Sequence, residues 1–204
     1  MLKLPRLYPI LDTACFSKEE DLYQFAHEVV AGGATILQYR NKSGNARVML
    51  EHAQQLKRIC GNSVRLIMND RADLCLAADF AGCHVGQDDL SPESVRRIIG
   101  KDLMLGVSTH NPEQLEIADR SPADYVAIGP VFQTASKENP DPVVGLDGIR
   151  RARELTQNPL VAIGGITRMN CREVIAAGAD SIAVIGDLVR EPKKSVQEFL
   201  SLLG

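Results

Sequence analysis

Short apolar runs alternate with amphipathic segments along the 204 residues of the chain. The apolar runs have the length and aliphatic composition of buried strands. Between them, apolar residues recur at intervals of three and four, which predicts helices with one face toward a core. The predicted strands cover residues 7–11, 35–40, 65–69, 83–86, 103–108, 125–130, 160–165 and 181–186.

Local signals mark where the predicted helices begin and end. Ser17, three residues before a glutamate, fits a capping box, and Ser91 and Asn111 each precede a proline at the first helical position. Gly32–Gly33 and Gly178 stand where helices are expected to end in a left-handed cap. These signals fall between the predicted strands and support the same alternation.

Eight alternations in a chain of this length predict parallel strands joined by crossover helices. Such strands either close into a barrel or form an open, doubly wound sheet, which binds ligands only where its strand order reverses. Polar or glycine residues follow nearly every predicted strand, which favours closure. The pattern predicts a single-domain (β/α)₈ TIM barrel over residues 1–204 with its site at the carboxyl ends of the strands. These strand-end residues are Asp12, Arg40, Asn69, Asp70, Gln87, Asp88, Asp89, Ser108, Gly129, Pro130, Gly164, Gly165 and Gly186.

Net charge and hydropathy limit the classes of partner. A formal net charge of -3 argues against a general nucleic-acid or anionic-membrane surface, so local basic groups must bind any anion. No apolar run approaches the ~20 residues of a membrane span, and prolines interrupt the short amino-terminal run before it resembles a signal peptide. We expect small-molecule substrates, with neither nucleic acid nor membrane as a partner. The oligomeric state is left open, a homo-oligomer included.

The five cysteines predict a reducing compartment. They are scattered, odd in number and never spaced as C-x-x-C, which suits the cytoplasm and offers no zinc site. We expect a cytoplasmic protein in which all five are small buried side chains. These are Cys15, Cys60, Cys75, Cys83 and Cys171.

The segment TILQYRNKSG begins as a strand and ends in a basic loop. Because strand side chains alternate between faces, Gln38, Arg40 and Lys42 are predicted on the face opposite to Leu37 and Tyr39. The guanidinium fork and the ammonium group are suited to phosphate oxygens. The alternative is a charged loop solvated at the surface, but period-two placement at a strand end favours anion binding.

Two aspartates end neighbouring predicted strands. Asp70 and Asp89 could bring their carboxylates to one ion, and hard oxygen ligands beside phosphate oxygens suit Mg²⁺. The alternative is local, because Asp70 could cap the following helix and Asp89 could belong to the turn before Ser91. The spacing alone leaves both open.

Glycines end the last two predicted strands, where barrels often bind phosphate through backbone N–H groups. Gly164 and Gly165 allow close approach of the backbone to an anion, although tight turns alone could require them. The polar loop QTASKENPDPVVG after strand six is a candidate lid, or simply a mobile insertion. The four histidines lack zinc-site spacing and are expected to be structural or solvated; they are His27, His52, His84 and His110.

Six motifs, in this order and spacing, resemble the thiamine phosphate synthase family. They are QYRNK (38–42), MND (68–70), HVGQDDL (84–90), GVSTH (106–110), GPVFQTASK (129–137) and AIGGI (162–166), and the resemblance extends from Leu7 to about Gly186. It implies a (β/α)₈ barrel that joins hydroxymethylpyrimidine diphosphate to a thiazole phosphate. Diphosphate leaves first, and the thiazole nitrogen then captures the pyrimidine carbocation.

The resemblance also implies three groups of site residues. The expected pyrimidine diphosphate ligands are Gln38, Tyr39, Arg40, Asn41, Lys42, Asn69, Ser108 and Lys137, of which Arg40, Lys42, Ser108 and Lys137 act in catalysis. The expected Mg²⁺ ligands are Asp70 and Asp89. The expected thiazole phosphate ligands are Thr134, Ala135, Ser136, Gly165, Ile185 and Gly186.

The chain departs from the family pattern after strand eight. It has Gly186 where the family usually has a serine, so a backbone N–H remains and a hydroxyl is lost. Two other functions stay open. A related thiazole tautomerase or a non-catalytic thiazole phosphate sensor would need no diphosphate ligands, whereas Gln38, Arg40 and Lys42 are all present.

Overall fold

The computed structural model describes residues 3–42, 44–134 and 141–204. Parallel strands close into an eight-stranded barrel in sequence order, because β1 pairs with β2 on one side and with β8 on the other. The predicted (β/α)₈ barrel is confirmed. The strands are β1 Leu7–Asp12, β2 Ile36–Arg40, β3 Arg65–Asn69, β4 Gly82–Val85, β5 Met104–Thr109, β6 Tyr125–Ile128, β7 Leu160–Ile163 and β8 Ser181–Val184.

Helices surround the barrel and follow the predicted amphipathic segments. They are α1 Glu19–Ala31, α2 Ala46–Cys60, α3 Ala72–Ala77, α4 Pro92–Ile99, α5 Pro112–Asp119, α6 Gly145–Leu155, α7 Cys171–Ala176, α8 Gly186–Val189 and α9 Pro192–Leu203. In the described part of the chain, every helix is too short or too polar to span a bilayer.

The capping predictions hold at two of three helix starts. The Ser91 hydroxyl accepts from the Ser94 N–H at 3.3 Å, and Asn111 Oδ1 accepts from the Gln114 N–H at 2.9 Å. The capping box predicted at Ser17 is wrong, because α1 begins at Glu19 and its N-cap residue makes no side-chain cap bond. Gly33 and Gly178 do have positive φ, as a left-handed helix end requires.

Alternation along the strands separates two cores. Outward side chains such as Leu37 and Leu66 pack against the helices, while inward ones such as Tyr8, Ile36 and Tyr125 fill the barrel. The inner core fills the barrel below the strand ends. The polar inward side chains are therefore left at one end of the barrel, where they face a cavity.

Candidate active site

A cavity of about 590 Å³ opens at the carboxyl ends of the strands. Ten of the predicted site residues border it, contributed by the ends of different strands, as in barrel active sites generally. They are Gln38, Arg40, Lys42, Asn69, Asp70, Asp89, Ser108, Thr134, Ile185 and Gly186. Ala135, Ser136 and Lys137, also predicted for the site, lie outside the described residues.

Tyr39 and Asn41, also predicted as ligands, lie away from the cavity. Tyr39 is fully buried among the side chains between barrel and helices, and neither residue borders the cavity. The reason is strand alternation, which turns Tyr39 to the face opposite to Gln38 and Arg40. Their role as ligands stays a prediction.

Arg40 is held by a buried carboxylate. Asp12 and Arg40 are register partners at the ends of β1 and β2, and the Arg40 guanidinium donates to Asp12 Oδ2. The other oxygen, Asp12 Oδ1, accepts from the Ala14 N–H at 3.1 Å. Because both oxygens are engaged, the Asp12 carboxylate orients the guanidinium at the cavity wall.

Lys42 joins the two aspartates. Its Nζ lies 2.5 Å from Asp70 Oδ2 and 4.0 Å from Asp89 Oδ1. Burial and the Asp89 carboxylate raise the pKa of Asp70 to about 6, although the Lys42 ammonium opposes the shift. Two carboxylates thus face one ammonium group, and this excess of negative charge suits a cation.

The backbone at Asp70 is strained. Its φ of 65° lies in the left-handed region, which costs a non-glycine residue on the order of 1 kcal/mol. The Asp70 N–H bond to the His84 carbonyl at 2.8 Å holds this conformation. Strain of this kind is concentrated at functional sites, and here it turns a carboxylate toward the cavity. The local alternative for Asp70 is wrong, because Arg71 is the N-cap residue of α3 and Asp70 does not cap it.

Asp89 has a local role as well. Its Oδ2 accepts from the Gly86 N–H at 2.8 Å, so the expected turn bond is present. Oδ1 is the oxygen that approaches Lys42. Asp89 thus stabilises the β4 loop with one oxygen and presents the other to the cavity.

These oxygens fit a hard divalent cation. The two carboxylates converge on one positive charge, and Mg²⁺ completes its coordination with water and phosphate oxygens when protein ligands are few. In the described ranges, no cluster of three or more His, Cys, Asp or Glu side chains forms an all-protein metal site. A metal held here therefore needs ligands from water or substrate.

Asn69 also fits a ligand site. It borders the cavity and is buried, and its Nδ2 has no hydrogen-bond acceptor among the described residues. An unpaired buried amide is costly, so such a group usually pairs with a ligand or water. This donor lies at the end of β3, beside Asp70.

A hydrogen-bonded chain crosses the barrel beneath the cavity. Gln38 Nε2 donates to Tyr8 OH at 3.2 Å, and Tyr8 OH lies 2.8 Å from Tyr125 OH. His84 Nδ1 lies 3.0 Å from Tyr125 OH, and His84 Nε2 lies 2.8 Å from Ser108 Oγ. The chain thus links side chains of five strands and orients both Gln38 and Ser108.

Burial sets the protonation states of the side chains in this hydrogen-bonded row. Burial lowers the pKa of His84 to about 4, so the imidazole is neutral near pH 7 and has one donor and one acceptor nitrogen. Burial also raises the pKa of Tyr8 and of Tyr125 well above the usual tyrosine value, so both phenols stay protonated. The floor of the cavity is therefore polar but uncharged.

Glycines form the opposite side of the cavity. Gly164 borders it with φ of 101°, and a Cβ there would lie 2.5 Å from Pro130 Cβ. Gly165, predicted to bind phosphate, lies behind it, and a Cβ there would lie 2.5 Å from the Gln133 carbonyl oxygen. Both positions require glycine because the loop after β6 packs against them.

Gly186 has free space around it. It is the first residue of α8 and borders the cavity, and a Cβ there would meet no atom within 4 Å. Behind it, Arg168 Nε donates to Asp187 Oδ2 at 3.0 Å and fixes the start of this short helix. The wall at Gly186 is therefore backbone, with room for a larger side chain.

Several residues of the site were not predicted from the sequence. Asp12 was noted only as a strand-end residue, and His84 and His110 were expected to be structural or solvated, yet both histidines border the cavity. His110 Nδ1 donates to the Gly129 carbonyl at 2.6 Å. Period two along β4 places His84 inward and was the available signal. Cys15 was wrongly expected to be buried; it is exposed, whereas the other four cysteines are buried.

Comparisons with known proteins agree with this geometry. The chain is 61% identical to a thiamine-phosphate synthase of Koribacter versatilis, over 99% of this chain and 97% of that protein. It is 40% identical to one of Shouchella clausii, over 97% and 96%. The structure of the thiamine phosphate pyrophosphorylase of Pyrococcus furiosus superposes with a TM-score of 0.86 at 32% identity, over 97% of this chain and 95% of that one. Residues 7–188 match the family described as thiamine monophosphate synthase, and the chain belongs to that family.

Proposed function

We propose that the protein joins hydroxymethylpyrimidine diphosphate to a thiazole phosphate and releases diphosphate, giving thiamine phosphate. One observation carries the proposal: a single cavity has a basic wall at Arg40 and Lys42 and a glycine wall at Gly164 and Gly186. Two anionic substrates need two such sites facing each other. The family membership of the chain supports the same reaction.

The basic wall binds the pyrimidine diphosphate in this proposal. Arg40 offers a planar fork to two phosphate oxygens, and Lys42 adds a mobile charge. The unpaired amide of Asn69 and the hydroxyl of Ser108 are neutral donors, and Gln38 meets the pyrimidine end at the cavity floor. Lys137, on the loop after β6, is proposed to complete this site.

Asp70 and Asp89 would hold Mg²⁺, which supplies positive charge to diphosphate oxygens when bound. Lys42, which lies beside the two carboxylates, would pair with the diphosphate. The strained backbone of Asp70, which turns its carboxylate toward the cavity, supports this assignment.

The glycine wall binds the thiazole phosphate in this proposal. The backbone near Gly165 and the N–H groups of Ile185 and Gly186 approach the phosphate, because no side chain at Gly186 keeps it away. Thr134 borders the cavity beside them. Ala135 and Ser136 are proposed to contribute from the same loop.

The reaction needs charge stabilisation rather than a base. The bond between the pyrimidine methylene carbon and the diphosphate oxygen breaks, and the electron pair leaves with the diphosphate. Arg40, Lys42 and Lys137 stabilise that negative charge, while the aminopyrimidine ring delocalises the positive charge. The thiazole nitrogen then donates its lone pair to the methylene carbon and loses no proton. The phenols of Tyr8 and Tyr125 stay protonated, so they present no anionic oxygen to the cation.

Two related functions use less of this site. A thiazole tautomerase or a thiazole phosphate sensor needs only the glycine wall, whereas Arg40, its partner Asp12 and the Asp70–Asp89 pair are all in place here. The synthase reaction uses both walls.

Free buried cysteines suit a cytoplasmic location.

The test is product formation by the purified protein. With both substrates and Mg²⁺ we expect thiamine phosphate and diphosphate in equal amounts, and loss of both with EDTA. Asp70→Asn should raise the Mg²⁺ concentration needed for half-maximal rate. Asp79→Asn is the matched control, because Asp79 is exposed and does not border the cavity. Binding of thiazole phosphate without any product would contradict the proposal and favour the sensor.

A further inference from the structure

A chain of hydrogen bonds connects the helix layer to the loop that carries Lys42. Tyr39 OH lies 2.9 Å from His52 Nδ1 in α2, and Asn41 Nδ2 donates to Tyr39 OH at 3.1 Å. Asn41 Oδ1 accepts from the Gly44 N–H at 2.7 Å. The Asn41 side chain thus ties the loop at two points, with Lys42 between them.

The three hydrogen-bonded side chains are buried, and their donor and acceptor roles are mutually consistent. Asn41 is 8% exposed, His52 6% and Tyr39 0%. Because Asn41 donates to the phenol oxygen, the phenol proton is available to His52 Nδ1, which leaves the histidine proton on Nε2. Loss of one member would leave the next buried polar group unpaired.

The surroundings hold both ends of the chain in place. The rings of Tyr23 and Tyr39 each meet the His52 ring edge-on, with centroids 6.0 and 5.9 Å away. His52 Nε2 lies 3.2 Å from Glu19 Oε1, but it has no hydrogen-bond partner among the described residues. At the other end, a Cβ on Gly44 would lie 2.3 Å from Asn41 Nδ2. The loop therefore packs directly on the Asn41 amide.

We propose that Tyr39, Asn41 and His52 are positioning residues that set the loop so that Lys42 reaches Asp70 and the diphosphate. None of the three borders the cavity, so they act through the loop rather than by contact with substrate. The kinetic part of this inference rests on the proposed function. The structural part, that Tyr39 holds the loop, is independent of the proposed function.

The experiment compares Tyr39→Phe with Tyr23→Phe. Both remove one phenol oxygen from a ring that packs on His52, but only the Tyr39 hydroxyl bonds to Asn41. The first readout is amide hydrogen exchange at Gly44, compared with amides of α6. The second is the KM for each substrate, with melting temperatures to verify folding.

For Tyr39→Phe we expect faster exchange at Gly44 and a KM for the pyrimidine diphosphate raised about fivefold, the factor for one net hydrogen bond. Inhibition by diphosphate should weaken by a similar factor, while the KM for thiazole phosphate stays unchanged. Tyr23→Phe should match the wild type in both readouts. Asn41→Ala should also speed exchange at Gly44. If Tyr39→Phe folds poorly, exchange in Asn41→Ala tests whether these hydrogen bonds hold the loop.

Equal exchange at Gly44 in Tyr39→Phe, Asn41→Ala and wild type would overturn the inference. So would a KM increase shared by both substrates, since that indicates general damage to the barrel. If the wild type forms no thiamine phosphate, the proposed function fails, and the exchange comparison still decides whether Tyr39 holds the loop.

Discussion

Gly106→Ala tests whether the floor of the cavity depends on one missing side chain. Gly106 in β5 is the register partner of His84 in β4 and of Tyr125 in β6. The His84–Tyr125 hydrogen bond therefore passes over the glycine. A Cβ there would lie 2.1 Å from Tyr125 Cζ and 2.4 Å from His84 Nδ1, so Tyr125 would have to move.

The expected cost follows from packing and hydrogen bonding. Overpacking a core typically costs about 1–3 kcal/mol, and a broken buried hydrogen bond adds about 1 kcal/mol. We expect a loss of about 3 kcal/mol in the free energy of unfolding, which for a chain of this size lowers the melting temperature by about 6–12 °C. The Ser108 hydroxyl would lose its oriented partner His84, so kcat/KM should fall about tenfold.

Thermal unfolding followed by circular dichroism measures the stability term. Gly186→Ala is the matched control, because a Cβ there meets nothing within 4 Å and its melting temperature should stay near that of the wild type. Replacing Tyr125 by leucine should lower the free energy of unfolding less in the Gly106→Ala variant than in the wild type, because it removes the ring with which the new Cβ clashes. A melting temperature within about 2 °C of wild type for Gly106→Ala would refute the reasoning.

Two further predictions concern the cavity, and a third concerns the reactivity of Cys15. Arg40→Ala should reduce kcat/KM by at least about 100-fold, because a charged ligand of the leaving group is lost, and Arg40→Lys should be intermediate. Near-normal kinetics would contradict the assignment of Arg40 to the diphosphate. Gly186→Ser should keep or tighten thiazole phosphate binding by calorimetry, because a hydroxyl fits the open space, and weaker binding contradicts this. Cys15 should be the one of five thiols that reacts quickly with a maleimide in the native protein. Partial burial and the Asp12 carboxylate raise the pKa of Cys15 while Arg40 opposes, so its rate should still rise with pH through about 9; a rate already constant at about pH 8 contradicts the shift.

Much of the fold followed from local patterns. All eight strands were predicted within about two residues, because aliphatic runs and helix-start signals depend on near neighbours along the chain. The predicted helix start at Ser17 was wrong because α1 begins without a side-chain cap, which tertiary packing of its apolar face permits.

Alternation was also informative about the site. It put Gln38, Arg40 and Lys42 on one face and Tyr39 on the other, which the structure confirms. The family resemblance alone placed Tyr39 among the ligands, a role that strand geometry does not predict. A motif shows which residues occur together, whereas the alternation of side chains along a strand shows to which face each one points.

The sequence by itself determined the barrel, the end at which its polar residues collect and the residue types of the two walls. These are consequences of periodicity, which each segment carries alone. Only the tertiary structure decided that Asp12 holds Arg40, that Lys42 reaches Asp70 and Asp89, and that Gly106 leaves room for His84 to meet Tyr125. Each of these contacts joins different strands. It depends on the register between them, and in a closed barrel that register is set by the packing of all eight strands together.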